Sequence, residues 1–244
     1  MPTGSERLDG VKALVFDVFG SVVDWRGSIA AEAEAILSPL GHALDWDQFA
    51  RRWRARYQPA MEPVRKGERP FTKLDILHRE NLEEVLVEFV VDGLDEATKV
   101  HLNRAWHRLR PWPDAVPGLT RLKKKYVIGT QSNGDIAIMV GMAKHSGLPW
   151  DVILGAEVVR AYKPMPEAYQ RCIAALGMEP AEVMMSAAHN GDLLAARAQG
   201  MSTAFWPRPH EHGPGQRTDL RAEHDFDVVA ENLVDLADRL GCPA

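Results

Sequence analysis

The chain has 244 residues, of which 45% are hydrophobic and 26% charged, an ordinary globular composition in a chain long enough to bury its apolar surface without covalent staples. A formal net charge of −5 gives no reason to expect nucleic-acid binding, which wants a basic stripe. The polar start Met1-Pro2-Thr3-Gly4-Ser5-Glu6-Arg7 has no apolar signal region, and no apolar run approaches the roughly 20 residues of a membrane span; with two distant cysteines, Cys172 and Cys242, the expected setting is a reducing cytoplasm.

In chain order, the first short apolar run is residues 11–16, and it reads as a buried strand ending at Asp17. The texture then changes. From Ile29 to Arg110 the chain is rich in Ala, Glu, Arg, Leu and Trp and holds no convincing strand. Helical spacing over residues 29–37, 46–57, 71–89 and 96–109 predicts a helical insert placed directly after the first strand. Pro111-Trp112-Pro113 marks its end. Further apolar runs follow at 126–130, 152–154 and 183–185, with a fifth at 203–206 before Pro207-Arg208-Pro209. Amphipathic segments of helical period lie between them, most clearly at 137–146, 166–176 and 193–200. Strands alternating with helices predict a doubly wound, parallel-sheet, Rossmann-like α/β core, residues 1–24 and 111–244, with a helical cap over residues 25–110. The segment 210–216 is expected to be a surface loop, and the loosely metal-like His210-Glu211-His212 in it a solvated one, because no further ligands cluster beside it.

In an open α/β sheet, ligands bind outside the carboxyl ends of the strands. There, each of the first four apolar runs is followed by polar residues able to react: Asp17; Ser132 and Asn133; Lys163; and His189, Asn190 and Asp192. Singly, each has a plainer reading. Asp17 and Asp192 could cap helices, the latter one beginning near Leu193. Ser132 before Asn133-Gly134 is ordinary turn chemistry. Lys163 could be a loop cation, Tyr169 a packing residue, and His189 a structural loop residue. Arg54 shares a basic helix face with Arg51, Arg52 and Arg56, any of which could take its place. Four coincidences on one rim favour chemistry.

The ordered set resembles the haloacid dehalogenase superfamily over nearly the whole chain. Val15-Phe16-Asp17-Val18-Phe19-Gly20-Ser21 matches its nucleophile motif, Thr130-Gln131-Ser132-Asn133-Gly134 its second, Tyr162-Lys163-Pro164 its lysine motif, and Ala188-His189-Asn190-Gly191-Asp192 its acidic loop. Phosphatases of this superfamily carry a general acid two residues after the nucleophile, where this chain has Phe19. An alkoxide needs that proton to leave; a halide does not. The resemblance therefore narrows to the type II 2-haloacid dehalogenases, which carry an aromatic residue there. It implies Asp17 as nucleophile on a small 2-haloacid, Lys163 keeping it ionised, and Arg54 and Asn133 at the departing halide. It further implies Tyr169 beside the lysine, no metal and no cofactor, an (S) preference, and a homodimer. Ser132 and backbone amides near Val18, Phe19 and Gly20 would hold the substrate carboxylate, with Ser21 and Asn190 in the same binding set. Phe19 and Trp25 would wall the pocket, while Trp53 and Trp112 pack.

One departure matters. Where the subfamily has Ser and Asn upstream of the acidic loop's Asp, this chain has Ala187 and His189. His189 is thus either structural or the general base, oriented by Asp192 or Asp24, and its ordinary pKa of about 6.5 would leave it neutral at physiological pH. Two rival functions remain in view: a metal-dependent phosphatase or phosphonatase, with Asp17 and Asp192 as ligands, and a non-catalytic binding protein on this scaffold.

Overall fold

The computed structural model describes residues 8–243, so the polar opening segment 1–7 lies outside the described residues. The first strand, β1 (Ala13–Phe16), is buried along its whole length. A two-residue strand, β2 (Val23–Asp24), pairs antiparallel with β3 (Arg110–Pro111), and this pair forms the neck where the chain leaves the sheet and returns. Between them run five helices: α1 (Trp25–Leu37), α2 (Trp46–Ala55), α3 (Tyr57–Arg65), α4 (Leu74–Glu88) and α5 (Glu96–Asn103). Carboxylate caps begin three of them. Asp24 accepts from the Gly27 amide, Asp45 from that of Gln48 and Asp95 from that of Thr98, each satisfying an amide that the helix leaves unpaired.

The helix expected over residues 46–57 is α2, which ends at Ala55; after a break at Arg56 a further helix that was not expected, α3, starts at Tyr57. The reason for the break is Pro59. In a continuous helix its missing N–H and its ring would disrupt the turn above; a helix restarted at Tyr57 places it in a first turn, where no internal donor is required.

The second half alternates as expected: α6 (Ala115–Lys123), β4 (Val127–Gln131), α7 (Ile136–Ser146), β5 (Val152–Leu154), the short α8 (Ala156–Val159), α9 (Pro166–Leu176), β6 (Val183–Ala187), α10 (Asn190–Arg197), β7 (Ser202–Phe205), β8 (Val228–Val229) and α11 (Leu233–Arg239). The six core strands lie in the order β5-β4-β1-β6-β7-β8, and every neighbouring pair is parallel. This is the doubly wound α/β sheet. β1 sits between β4 and β6, so the chain runs outward on one side of β1 and then on the other, and a crevice opens at their carboxyl ends.

Cap and core share one apolar cluster that includes Phe16, Phe19, Trp25, Trp53, Tyr57 and Trp106. Polar ties cross the same seam: the Tyr162 hydroxyl donates to the Thr72 carbonyl, Arg65 Nη2 to the Lys163 carbonyl at 2.6 Å, and the Asp75 amide to Asp135 at 3.2 Å. Among the described residues no helix is long and apolar enough to cross a membrane.

Candidate active site

β1 ends by delivering Asp17, whose amide donates to the Ser186 carbonyl of β6. Its carboxylate is held at both oxygens. Lys163 Nζ donates to Oδ1 at 2.8 Å; the Ser21 hydroxyl donates to Oδ2 at 2.7 Å, and His189 Nδ1 stands 3.0 Å from the same oxygen. Burial would raise the carboxyl's pKa, but the Lys163 charge and the contacts of His189 outweigh it and hold Asp17 far below the usual carboxylate range. It is a carboxylate at any physiological pH.

Lys163 also donates to Asp192 Oδ2 at 2.5 Å, so one buried ammonium bridges two buried carboxylates. Burial works against its charge, and the two carboxylates more than reverse that, raising its pKa. The Tyr169 hydroxyl donates to the other Asp192 oxygen at 2.6 Å. Burial and the neighbouring Asp17 charge push Asp192 upward, which makes Asp17 the better ionised of the pair. The Lys163 amide donates to Asn133 Oδ1 at 2.7 Å, fixing the lysine's backbone to the tip of β4. Ser132 Oγ accepts from the Gly134 amide at 3.1 Å, the turn role foreseen for it.

The opposite side of Asp17 belongs to His189, whose Nε2 lies 2.8 Å from Glu211 Oε2. Glu211 is 1% exposed and also accepts from Trp25 Nε1 at 3.0 Å. Glu211 is therefore not the solvated residue expected, although His210, Pro214 and Gly215 of the same loop are exposed. Arg208, paired through two nitrogens with Asp114 at 2.7 and 2.8 Å, donates to the Ser21 carbonyl, and the Glu211 amide donates back to Arg208. These ties pin the loop beneath the first motif. Burial depresses the His189 pKa, but Glu211 and then Asp17 raise it well above the ordinary value. His189 in the free enzyme is therefore an imidazolium, not the neutral ring expected. Its orienting carboxylate is Glu211; Asp192 is occupied by Lys163 and Tyr169, and Asp24 caps α1.

These groups face a cavity of about 630 Å³ between cap and core, lined also by Phe19, Trp25, Arg54, Tyr57 and Asn133. Arg54 lies with its guanidinium carbon 3.8 Å from the Tyr57 ring centre, 5.4 Å from that of Trp25 and 5.5 Å from that of Phe19. Its Nη1 is buried without a hydrogen-bond partner. The neighbouring arginines are spent elsewhere: Arg51 on Asp47, Arg52 on Glu88, and Arg56 on Glu84 and Glu88. Among the described residues no carboxylate pairs with Arg54, so its charge faces the cavity unneutralised.

Three expected substrate contacts are placed otherwise. The Ser21 hydroxyl is fully buried between Asp17 and the Ala188 amide, and so positions the carboxylate. The Asn190 side chain is consumed by Asp219, the Arg221 carbonyl and the Glu223 amide; it ties down the segment ahead of β8. The Gly20 amide donates to the Val23 carbonyl and is no longer free for a ligand. The amides of Val18 and Phe19, by contrast, find no acceptor among the described residues. Asp192 does not cap α10, which begins at Asn190 and has His189 at its cap position. Tyr57 and Glu211 are functional candidates beyond the expected set, Glu211 having been read only as part of a solvated, loosely metal-like triplet. The available signal for Glu211 was its position just beyond the fifth apolar run, at the same sheet edge as the other motifs.

A family profile described as haloacid dehalogenase-like hydrolase matches residues 11–200. The crystal structure of a defluorinating L-2-haloacid dehalogenase superposes with a TM-score of 0.93 and 50% identity, over 95% of this chain and 96% of that one. A second L-2-haloacid dehalogenase structure gives 0.91 and 47%, over 95% and 99%. An (S)-2-haloacid dehalogenase of Xanthobacter autotrophicus is 27% identical over 198 residues, 80% of this chain and 74% of that protein.

Proposed function

We propose, for a chain that belongs to the haloacid dehalogenase-like hydrolases, that it converts small (S)-2-haloacids to 2-hydroxyacids and halide through an ester on Asp17. The substrate carboxylate sits against Ser132 and the open amides of Val18 and Phe19. Asp17 attacks the halogen-bearing carbon; the new C–O bond forms as the C–X bond breaks, and the bonding pair leaves with halide toward Arg54 and Asn133. Water then adds to the Asp17 ester carbonyl, and the hydroxyacid departs. The cap, residues 25–110, closes over the core and keeps bulk water from the displacement step. The setting proposed is the cytoplasm, and the assembly a homodimer.

The observation that carries this reading is Arg54: a cation on three aromatic faces, with a buried nitrogen that has no partner, in the cavity that holds an ionised Asp17. An anion that appears during the reaction would supply the missing partner. Phe19, 2% exposed, stands where an alkoxide's proton donor would be needed. Between Asp17 and Asp192 the Lys163 ammonium already supplies the bridging positive charge, and among the described residues no group of three or more His, Cys, Asp or Glu side chains is placed to hold a metal ion. The 50% identity to a protein described as defluorinating brings fluoroacetate into the proposed substrate range.

The test is halide release from (S)-2-chloropropionate, chloroacetate and fluoroacetate, with and without chelator, paired with a single turnover in heavy-oxygen water. Chelator-insensitive release with the label on Asp17 is expected. Release of phosphate from aryl phosphates without halide from any haloacid, or first-turnover label in the product alone, would overturn the proposal.

A further inference from the structure

We infer that His189 and Glu211 form the proton-accepting pair for hydrolysis of the ester, and that alkylation of Asp17 is what switches His189 from acid to base. The inference rests on the Asp17 ester proposed above and adds the residue that sets its breakdown.

Glu211 is a carboxylate held almost entirely out of solvent. Burying a carboxylate is costly unless it is paired and hydrogen-bonded. Its partners are His189 Nε2 at 2.8 Å, Trp25 Nε1 at 3.0 Å and His212 Nε2 at 3.5 Å. The fit is close: a Cβ on Gly20 would lie 2.0 Å from Glu211 Oε1. So tight a seat for a carboxylate on the far side of the imidazole fixes the ring's orientation and keeps Nε2 protonated, which leaves Nδ1 as the nitrogen that faces Asp17 at 3.0 Å.

In the free enzyme the imidazolium stands between two carboxylates. The other titratable or charged groups around it are Lys163 and Asp192 on the far side of Asp17, His212 beside Glu211, whose pKa burial lowers, and Arg54 on the cap. Ester formation makes Asp17 neutral. The ring then keeps one anionic partner of two, and burial, which opposes its charge, gains the upper hand. The Nδ1 proton is lost to solvent, so the proton that dehalogenation must release appears in the alkylation half-reaction.

Nδ1 now holds a lone pair beside the ester carbonyl. A water there gives one proton to Nδ1 as its oxygen bonds to the Asp17 carbonyl carbon. The tetrahedral adduct breaks its bond to the substrate oxygen, which leaves with the remaining hydroxyl proton as the hydroxyacid. Asp17 is again a carboxylate and His189 again an imidazolium, so hydrolysis itself releases no proton. His189 acts on the water; Glu211 acts through His189 and is a positioning residue.

Three rapid-mixing measurements test this near neutral pH: halide, proton release by indicator dye, and the Asp17 adduct by acid quench and mass spectrometry. In the unaltered enzyme, proton release should track the halide burst. E211Q and H189N should keep a halide burst of one equivalent but lose about a hundredfold or more in adduct decay, the usual span of a general base. E211D, which keeps the charge, should recover part of the loss. The pH profile of adduct decay should shift its acid limb to lower pH in E211Q, a change that a merely structural Glu211 would not produce. Protons released with ester hydrolysis instead of halide, or adduct decay at the unaltered rate in both E211Q and H189N, would overturn the inference and leave the ester intact. Failure to trap an Asp17 adduct in any of these proteins would overturn the proposed function itself.

Discussion

Replacing Arg54 with Met is the perturbation that most directly separates chemistry from architecture at this site. Met keeps roughly the length and apolar stem and removes the charge. A halide forming about 4 Å from the guanidinium would gain about 4 kcal/mol at an effective dielectric near 20. That converts to about a thousandfold in the displacement rate and agrees with the usual cost of removing one oriented donor. Stability should move little. The variant gives up a cation over Tyr57, worth roughly 0.5–2 kcal/mol, and relieves a buried nitrogen without a partner, an opposing effect of about 1–3 kcal/mol.

The assay is single-turnover halide release with enzyme in excess, alongside calorimetric Tm. We expect a loss near a thousandfold on chloroacetate, larger on fluoroacetate, whose leaving group concentrates charge most, with Tm within a few degrees of the unaltered protein. Arg54→Lys should fall between, since it keeps the charge but not the planar stack. A chloride burst within tenfold of normal in Arg54→Met would refute the reasoning. So would a large loss of Tm, which would make Arg54 a structural residue.

Three further changes probe the rest of the site. Lys163→Met strips the cation from two buried carboxylates; Asp17 should rise toward neutral pH, halide release at pH 7 should fall about a thousandfold, and unfolding should show a loss of about 3–5 kcal/mol. Gly20→Ala forces a side chain at φ +87° into Glu211; trapped Asp17 adduct should accumulate in mass spectra, and its absence would mean that Glu211 tolerates displacement. His78 is buried, stacked on Trp106 at 4.2 Å, with neither ring nitrogen bonded. Burial, then the Arg54 charge, lowers its pKa well below 6.5. Since the unfolded chain then binds the extra proton, stability should drop as pH falls below 6.5, and in His78→Phe that acid loss should shrink when Tm is followed from pH 7 to 5. His189, raised instead, has the opposite sign: its contribution is complete below 6.5 and fades as pH climbs through its folded value.

The sheet was readable because its central strands are buried on both faces and therefore appear as short continuous apolar runs, with rim residues beyond their ends: Asp17 at once, Lys163 only after the intervening α8. Asp17, Lys163 and Asp192 were found that way, and the structure brings them within one hydrogen-bonded chain. Motif order says which residues reach the rim but not where each side chain spends its hydrogen bonds. Ser21 and Asn190 sit within motifs and yet serve Asp17 and a distant segment. Glu211 was missed for the converse reason. It lies between two histidines in a stretch of Pro and Gly with no periodicity, and only the tertiary grip of Arg208 and Trp25 buries it. β8 has two residues, too few for any period to register. The helix over residues 57–65 was not foreseen, because Pro59 and Pro63 interrupt its pattern.

The charges of the cavity explain why these particular residues stand together. Lys163, His189, Arg54 and Arg51 are its cations, the last already paired with Asp47, and Asp17, Asp192 and Glu211 its carboxylates. In the proposed reaction, displacement moves one negative charge from Asp17 to the halide, away from Lys163 and His189 and toward Arg54. Lys163 keeps Asp192 and so stays charged through the cycle, ready to favour the carboxylate when it is regenerated. Arg54, unpaired at the outset, would on this proposal gain its partner only as the halide forms, which is stabilisation realised in the transition state and not before. His189 is the one cation whose support changes midway, because Asp17 is one of its two anionic neighbours. An unpaired arginine at one end and a doubly held histidine at the other are thus two answers to the same transfer of charge, and losing either should stall a different half of the reaction: halide release without Arg54, ester breakdown without His189.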